Sequence, residues 1–423
     1  MKKVLIITYY WPPAGGPGVQ RWLKFVKYLG EYDIEPVVYV PENAHYPIQD
    51  ATLSEEIPKN LKLYSRPIFE PYGLAGLFSK NKTKRISSGI IETKNQSVLE
   101  KAMLWIRGNF FIPDARKYWV KPSVTFLSTI LKEEGITTVI TTGPPHSVHL
   151  IGACLKTDHE LCWIADFRDP WTSIGYHKKL RLSKRSQKKH KRLEHEVLNR
   201  ADRLIVTSQT TKQEFQGLTK KPITVITNGY DFEYQKGTRL DNGFTIAHIG
   251  SLLNGRNPGN LWKVLSQLAT ENEVFRSDLQ LEFIGVVSED VMNTLSRYEL
   301  APYVKMRGYV SHSEAIRRQQ SAQVLLLVEI DSEETKGIVP GKLFEYMAAK
   351  RPILAVGPTD WEAGAMVMQT RTGQAFDYRD TTALKETVLS WYKAFKSGAL
   401  SVTSENTENY SRKALTGKLA ELL

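Results

Sequence analysis

One glutamate in the second half of the chain lies where it could bind a ribose. In KGIVPGKLFEYMAAKRPILAVG (336–357), Pro340 and Gly341 precede a predicted helix that carries Glu345 in its first turns. The amides of a helix N-terminus can bind phosphate, and an ionised carboxylate can accept hydrogen bonds from two ribose hydroxyls at once. Taken alone, Glu345 is better explained as a residue that compensates the helix dipole. The segment therefore needs support from a second element.

An earlier segment supplies a positive charge for the same ligand. AHIGSLLNGRNPGNLWKVLSQL (247–268) has the pattern of a strand, a glycine turn and a helix, with Gly250 and Ser251 after the strand and Arg256 in the turn. An arginine beside the amides of a helix N-terminus suits a diphosphate. Together with Glu345, this segment predicts a site for a nucleoside diphosphate.

The chain opens with a further glycine turn, in YYWPPAGGPGVQRWLKFVKYL (9–29). Gly15 and Gly16 follow a hydrophobic run and two prolines, and apolar residues then recur at helical spacing. A strand, a glycine turn and a helix N-terminus can hold an anion. The spacing fits neither a Walker loop nor the dinucleotide fingerprint, so a turn that only joins a strand to a helix remains the alternative.

The sequence predicts no metal site and no cofactor other than a nucleotide substrate. It has no Asp-x-Asp, and its nine histidines show no ligand spacing. His146 and His149 lie three positions apart at the end of a predicted strand, without cysteine or carboxylate partners that we can identify. Substrate contact or structural capping is therefore favoured for them over a zinc pair.

A basic run occupies residues 178–192. It contains nine lysines and arginines, and no acid occurs between Asp169 and Glu194. Such a run can bind an anionic membrane surface or nucleic acid, or form a solvated helix face. Nucleic acid is the least favoured, because no aromatic residues are interleaved and no recognition motif accompanies the run.

Length and composition indicate a globular protein of two domains. The chain has 423 residues, a net charge of +12 and 2 cysteines, which favours a reducing compartment over a disulfide framework. The apolar start, about five residues long, is shorter than a signal peptide needs, and no run approaches the length of a spanning helix. We therefore expect a cytoplasmic protein that meets a membrane, if at all, from the surface.

The elements that must position these residues follow one repeating pattern of strands and helices along the chain. Short apolar strands without polar alternation are separated by helical patterns, which predicts an α/β fold with two Rossmann-like domains, each with a parallel sheet, facing across a cleft. A turn-rich joint lies at 228–243, and an inserted loop or flap is expected at about 45–115. The predicted domains are residues 1–230 and 244–398, with a C-terminal helix in 399–423 that packs back on the first domain.

These motifs together resemble the retaining glycosyltransferases of the GT-B fold, of the family 4 type. The resemblance runs over nearly the whole chain and includes a bacterial branch that builds surface polysaccharides. The motifs that carry it are PPAGGPGVQR (12–21), IPDARKYWV (112–120), ADFRDPW (165–171), ADRLIVTSQTTKQEF (201–215), ITNGYD (226–231) and KLFEYMAAKRPIL (342–354).

The chain departs from the family pattern at three positions. Gly337 stands where the first of two glutamates is usual, and Ser251 stands where an arginine is usual, although Arg256 matches the lysine that follows. Arg168 aligns with a histidine that often ends the fifth strand of the first domain. Lys342 could supply the missing positive charge or be a surface lysine.

The resemblance implies a metal-independent, retaining transfer of a sugar from a nucleoside diphosphate to a glycan or lipid-linked acceptor. Backbone near Met306 and Arg307 would contact the base, and Asp169 would line the first domain's side of the cleft. The predicted catalytic residues are Asp166, Arg168, Arg256 and Lys342. The predicted donor-binding residues are Gly15, Gly16, Gly250, Ser251, Arg256, Arg307, Pro340, Gly341 and Glu345.

Two other functions remain open at this point. A sugar-nucleotide epimerase on the same fold would bind the same donor but would turn over without an acceptor. A scaffold protein on a decayed transferase fold would fit the glycine at 337 and the serine at 251, although the remaining ribose and phosphate residues argue against it.

Overall fold

The computed structural model describes residues 1–70, 98–178, 180–231 and 238–423. These residues form two compact units: unit 1 is Met1–Asn228 with Arg412–Leu423, and unit 2 is Gly229–Ser411. Much of the predicted insertion, part of the predicted joint and Lys179 of the basic run lie outside the described residues.

Unit 1 contains seven parallel strands in the order β3-β2-β1-β4-β5-β6-β7. Its strands are β1 (Lys2–Thr8), β2 (Ile34–Glu42), β3 (Lys62–Pro67), β4 (Thr138–Gly143), β5 (Cys162–Phe167), β6 (Arg203–Val206) and β7 (Ile223–Val225). The α-helices before β7 are α1 (Pro17–Leu29), α2 (Val98–Phe110), α3 (Val120–Glu134), α4 (Ser147–Asp158), α5 (Gly175–Lys178), α6 (Lys184–Arg200) and α7 (Gln209–Gln216).

Unit 2 contains six parallel strands in the order β10-β9-β8-β11-β12-β13. They are β8 (Phe244–Ile249), β9 (Leu279–Ile284), β10 (Val304–Gly308), β11 (Val324–Val328), β12 (Ile353–Gly357) and β13 (Gly373–Asp377). Its helices are α8 (Gly259–Glu271), α9 (Glu273–Asp278), α10 (Glu289–Arg297), α11 (His312–Ser321), α12 (Lys342–Ala348), α13 (Glu362–Gln369) and α14 (Thr382–Lys396).

Short 3-10 turns and one last helix complete the described elements. The 3-10 turns are Gly30–Tyr32, Ala51–Glu56, Lys117–Trp119, Ala301–Tyr303, Glu333–Thr335 and Thr407–Tyr410. Helix α15 (Arg412–Ala420) lies in unit 1, where it packs against α1.

Both sheets are covered by apolar side chains on both faces, which explains the unbroken apolar runs of the sequence. In β1, Leu5 and Ile7 belong to one buried cluster of unit 1, whereas Val4 and Ile6 belong to the cluster on the other face. In β8, Ile246 and Ala247 divide in the same way between the two clusters of unit 2. The predicted α/β class with two Rossmann-like domains is therefore confirmed. Among the helices described, none is long and apolar enough to span a bilayer.

Candidate functional site

The glycine turn after β8 is held tightly against the next strand. The amide of Gly250 donates to the carbonyl of Ile284 at 2.7 Å, and Gly250 and Gly285 have φ angles of 111° and 113°. A Cβ on Gly285 would lie 2.9 Å from the backbone of Gly250, and one on Gly250 would lie 2.7 Å from the Nζ of Lys342. Only glycine fits both positions without strain. The turn thus places the Lys342 ammonium beside the backbone of Gly250.

Arg256 is oriented by a buried glutamate that the sequence reasoning missed. Glu329 directly follows β11, and its two oxygens accept from Nε and Nη2 of Arg256 at 3.0 and 3.2 Å. The side chain of Glu329 is 1% exposed, whereas that of Arg256 is 30% exposed. The amide of Ile330 donates to a carboxylate oxygen of Glu329 at 2.9 Å. The hydroxyl of Tyr378 donates to the main-chain carbonyl of Glu329 at 2.8 Å. This bidentate pair fixes the guanidinium plane while part of Arg256 stays open to solvent.

Lys342 contacts a buried histidine, also missed from the sequence. The Nδ1 of His248 lies 2.9 Å from the carbonyl of Leu326, so the ring proton is assigned to Nδ1. The Nε2 then accepts from the Nζ of Lys342 at 3.2 Å. Burial holds the pKa of His248 well below its usual value, which keeps the ring neutral. Burial, with a further contribution from the positive charge of Arg256, lowers the pKa of Lys342 to about 8.

Glu345 lies on α12 with both carboxylate oxygens hydrogen-bonded. Gln319 donates its Nε2 to one oxygen at 2.8 Å, and the Nε2 of His312 lies 3.1 Å from the other. The side chain is still 22% exposed, so the carboxylate can reach a ligand from one side. The next residue, Tyr346, accepts the amide of Ile249 at 2.9 Å, which attaches α12 to the end of β8.

The start of α12 uses some of the amides that the sequence assigned to phosphate. The amide of Leu343 donates to the carbonyl of Pro340 at 3.0 Å, and that of Phe344 to Gly341 at 3.3 Å. These two amides therefore already form hydrogen bonds within the turn. We infer that side-chain cations carry more of the anion-binding potential here than the helix N-terminus does.

Arg307 lies on the edge strand β10 and pairs with Glu282, which is buried and also bonds Arg318. Met306 is 47% exposed, the side chain of Arg307 is 43% exposed, and Ser251 is also exposed. Gly337 falls in the turn between the 3-10 segment Glu333–Thr335 and α12. The structure thus leaves the surface around β10 accessible, as contact with a base would require.

The glycine turn of unit 1 leads directly into α1. Gly16 precedes the helix with a φ of 104°, and the amide of Gly15 donates to the carbonyl of Ile48 at 3.0 Å. Gly18, which we did not single out from the sequence, lies against Arg168: a Cβ there would come within 2.0 Å of the guanidinium. The helix start can thus accept an arginine side chain only because position 18 is glycine.

The predicted catalytic role of Asp166 is not supported by its surroundings. The residue is fully buried in β5, where it accepts from Arg21 at 2.9 Å, from the indole of Trp22 at 2.9 Å and from Thr142 at 2.8 Å. Arg21 is equally buried and also donates to the carbonyl of Thr227 at 2.6 Å. A carboxylate with three partners and no exposed surface cannot contact a substrate, so Asp166 anchors α1 to the sheet.

Arg168 turns back onto the chain that follows β4. Its Nε donates to the carbonyl of Gly143 at 3.2 Å, and its Nη2 donates to that of Pro144. Its guanidinium carbon lies 5.8 Å from the ring centre of Tyr10. Burial lowers the pKa of this arginine. These contacts give Arg168 a structural role in unit 1, and its predicted catalytic role stays a prediction.

His146, His149 and Asp169 separate into different environments. His149 is fully buried, with its Nδ1 2.9 Å from the hydroxyl of Thr141, which is a structural role. His146 and Asp169 line a cavity of unit 1. Among the described residues, no three histidines, cysteines or carboxylates are placed to hold a metal ion.

Comparison with known proteins agrees with this architecture. Residues 93–234 match the sequence profile of Glycosyltransferase Family 4. No curated protein sequence is significantly similar to the chain.

Solved structures resemble the chain over its full length. A glycosyltransferase from Rickettsia africae ESF-5 has a TM-score of 0.61 at 13% identity, covering 100% of this chain and 97% of that one. HepE of Anabaena in complex with UDP-glucose has a TM-score of 0.58 at 13% identity, with 100% and 99% covered. A variant of TarM from S. aureus, in complex with fondaparinux, alpha-GlcNAc-glycerol and UDP, has a TM-score of 0.58 at 12% identity, with 100% and 99% covered.

At these identities the structural likeness establishes the fold alone, and the family profile adds the enzyme class over a third of the sequence. The predicted resemblance to family 4 is thereby confirmed for residues 93–234. The chain is a glycosyltransferase with the GT-B fold.

Proposed function

We propose that this enzyme transfers a sugar from a nucleoside-diphosphate sugar to a glycan or lipid-linked acceptor in surface polysaccharide synthesis, with retention of the anomeric configuration. The observation that carries the donor assignment is the pair of cations in unit 2. Arg256 and Lys342 each have a buried partner, Glu329 and His248, that holds the side chain in place. Two fixed cations in one unit are suited to a diphosphate.

The same pair suits the chemistry of transfer. When the bond from the sugar to the diphosphate breaks, negative charge grows on the leaving group, and preorganised cations stabilise that charge. Because Arg256 is already aligned by Glu329, little reorganisation is needed during the reaction. We propose that Arg256 and Lys342 act here without a metal ion, that Glu345 binds the ribose hydroxyls, and that Gly15 and Gly16 contact the donor phosphate and the acceptor.

The neighbours support a nucleotide-sugar donor without naming it for this chain. The HepE structure contains UDP-glucose, and the TarM structure contains UDP together with alpha-GlcNAc-glycerol. We extend to this chain only the class of ligand, a sugar nucleotide and a glycosylated acceptor.

We further propose that the enzyme works at an anionic membrane surface, together with the cytoplasmic location that the sequence predicts. Helix α6 exposes a row of cations: Lys184, Arg185, Lys188, Lys189, Lys191 and Arg192. Beside its start, the side chain of Asn109 joins α2 to the chain at Arg181 and Ser183.

The neighbouring end of α2 is apolar and open. Trp105, Ile106 and Phe110 are 46%, 46% and 59% exposed, and the two aromatic rings pack edge to face at 5.7 Å. Exposed aromatic side chains next to cations are typical of surfaces that enter the interface of a bilayer. This arrangement supports a lipid-linked acceptor.

A panel of nucleoside diphosphates and their sugars, followed by thermal unfolding, tests the donor assignment. A ligand at a hundred times its Kd should stabilise the chain by about 2.7 kcal/mol. The exposed Glu333→Gln serves as a matched control for Glu345→Gln, since only the second should weaken the stabilisation. If no nucleotide stabilises the chain, the proposed function is wrong and a scaffold role is favoured. If a sugar nucleotide is converted without any acceptor, an epimerase is favoured instead.

A further inference from the structure

A buried glutamine of α11 donates a hydrogen bond to the carboxylate of Glu345. Gln319 has no exposed surface, and its Nε2 lies 2.8 Å from the Oε2 of Glu345. The two residues belong to neighbouring helices of unit 2, because α11 packs against α12. Glutamine is seldom fully buried, since its amide must be removed from water. An apolar side chain would avoid that cost, so the bond to Glu345 is what explains an amide at this position.

The amide of Gln319 is only half satisfied by the protein. Among the residues that the structure describes, its Oε1 is buried without a hydrogen-bond partner. Buried polar atoms in native proteins are nearly always bonded, and an unpaired one destabilises the fold. The amide therefore costs the fold stability at one end and gives Glu345 a fixed donor at the other. Such a residue is better explained by the function of Glu345 than by packing.

The next residue of the helix is a matched comparison. Gln320 also has no exposed surface, and its Nε2 is likewise buried and unpaired in the described part of the chain. Its Oε1 accepts from the hydroxyl of Thr238 at 3.2 Å. Two adjacent glutamines are thus equally buried, and Gln319 is the one that donates to Glu345. Substitution of Gln320 therefore controls for the loss of a buried amide as such.

The first residue of α11 contacts the other oxygen of Glu345. The Nε2 of His312 lies 3.1 Å from Oε1, and the side chain of His312 is 54% exposed. His312 and Gln319 are seven positions apart, which places them on one face of the helix. Ser311 caps this helix by accepting from the amide of Glu314 at 3.3 Å. Because one helix contacts both oxygens, the plane of the carboxylate is fixed before a ligand arrives.

We propose that Gln319 is a positioning residue that sets the preference of this enzyme for ribose over deoxyribose in the nucleotide of its donor. The inference rests on the proposed function, in which Glu345 binds the ribose hydroxyls. If the carboxylate were mobile, ordering it on binding would weaken the affinity by roughly 2- to 13-fold. A nucleotide that lacks the hydroxyls makes no bond to Glu345, so its affinity does not depend on this orientation. Gln319 is fully buried and therefore acts through Glu345 rather than on the ligand.

Calorimetry on the full chain, with ADP, CDP, GDP and UDP and with the 2′,3′-dideoxy form of each, tests the proposal. The native chain should bind at least one ribonucleotide about tenfold or more tightly than its dideoxy form. Gln319→Met, which keeps the length of the side chain, should lower that ratio about threefold or more by weakening the ribonucleotide alone. Gln320→Met should keep the native ratio. In a chain that already carries Glu345→Gln, Gln319→Met should change the ratio no further.

Three results overturn the proposal while nucleotides still bind and the donor class stands. They are equal affinity of the native chain for both forms, an unchanged ratio in a folded Gln319→Met variant, and an equal fall of the ratio in Gln320→Met. Weaker binding of both forms alike by Gln319→Met also overturns it, because a purely structural role has that effect.

A second variant keeps the test decisive if Gln319→Met does not fold. His312→Ala lies at the exposed start of α11 and removes the other partner of Glu345, so it should lower the ratio in the same direction. An unchanged ratio in this variant shows that α11 does not orient Glu345, and the proposal is then wrong. If none of these nucleotides binds the native chain, the proposed function is wrong and this inference is wrong with it.

Discussion

The low pKa of Lys342 predicts that nucleotide binding weakens as the pH rises above about 8. The Nζ of Lys342 is enclosed beside His248 and Arg256, which lowers its pKa to about 8. Only the ammonium form attracts a diphosphate. The affinity for the nucleotide should therefore be highest below pH 8. It should fall as the pH rises from the pKa of Lys342 in the free protein to the pKa of Lys342 in the complex.

The size of the effect follows from the strength of a charge-assisted hydrogen bond. Such a bond contributes about 1.5–3 kcal/mol, which corresponds to roughly a 12- to 160-fold change in Kd. The same free energy raises the pKa of Lys342 in the complex by about 1–2 units, since one unit is about 1.36 kcal/mol. The Kd should thus rise between pH 8 and about pH 10 and then become constant.

Isothermal titration calorimetry at constant ionic strength, with the nucleotide that the thermal panel identifies, measures this profile. The variant Lys342→Met should bind the nucleotide weakly at pH 7. It should not show the loss of affinity above pH 8 that the native chain shows. Lys385→Met, which removes a cation of α14 paired with Glu271, should keep the native profile. Ionisation of the nucleotide itself affects all three proteins alike. If the native chain and Lys342→Met show the same pH profile, Lys342 does not bind the diphosphate.

Five further predictions concern the donor site, the metal independence, the core and the surface. Glu345→Gln should weaken nucleotide-sugar binding by about tenfold or more by calorimetry, whereas its effect on the helix is only about 0.3–1 kcal/mol; unchanged affinity in a folded variant would remove Glu345 from the ribose role. Arg256→Ala should lower kcat/KM more than donor affinity, because charge grows on the diphosphate towards the transition state. EDTA should leave native turnover unchanged, and rescue of a chelated enzyme by Mg²⁺ would contradict the metal-free proposal. Arg21→Met should lower the free energy of unfolding in urea by about 3–5 kcal/mol, since Asp166 loses its buried partner, and a loss under 1 kcal/mol would refute that account. The enzyme should bind anionic but not neutral vesicles, and several hundred millimolar salt should abolish this binding. Substitution by glutamate at four positions should also abolish it while donor binding stays intact: Lys184, Arg185, Lys188 and Lys191.

The parallel sheets could be predicted because their central strands are buried on both faces and therefore read as apolar runs. Two strands, β3 and β13, lack such an apolar run, and both are edge strands of their sheets. Strand β3, KLYSRP, is largely exposed, and β13, GQAFD, has no buried β-branched run. An edge strand has one hydrogen-bonding neighbour and little to bury, so its sequence carries a weak signal.

At the candidate site, local motifs predicted the residues, and distant ones fix their geometry. Arg256 and Glu345 stand out because glycine turns and helix starts lie within a few positions of them. Glu329 follows β11 and His248 lies in β8, so no local spacing connects Glu329 with Arg256 or His248 with Lys342. The available signal was an acid directly after the apolar run VLLLV, at the carboxyl end of a buried strand.

That signal does not by itself distinguish a ligand site from a structural pair. Asp166 near the end of β5 and Glu329 after β11 are both buried acids that hold an arginine. Arg21 is fully buried and donates to a backbone carbonyl as well, so its pair is closed and stabilises the fold. Arg256 keeps 30% of its side chain exposed, and Lys342 lies beside the same glycine turn. An anion can therefore bind Arg256 without breaking its pair with Glu329, and in the function that we propose Lys342 supplies the charge that Ser251 lacks. We therefore base the proposed binding site at the carboxyl end of β8 and β11 on the open face of the arginine, rather than on the acid that holds it.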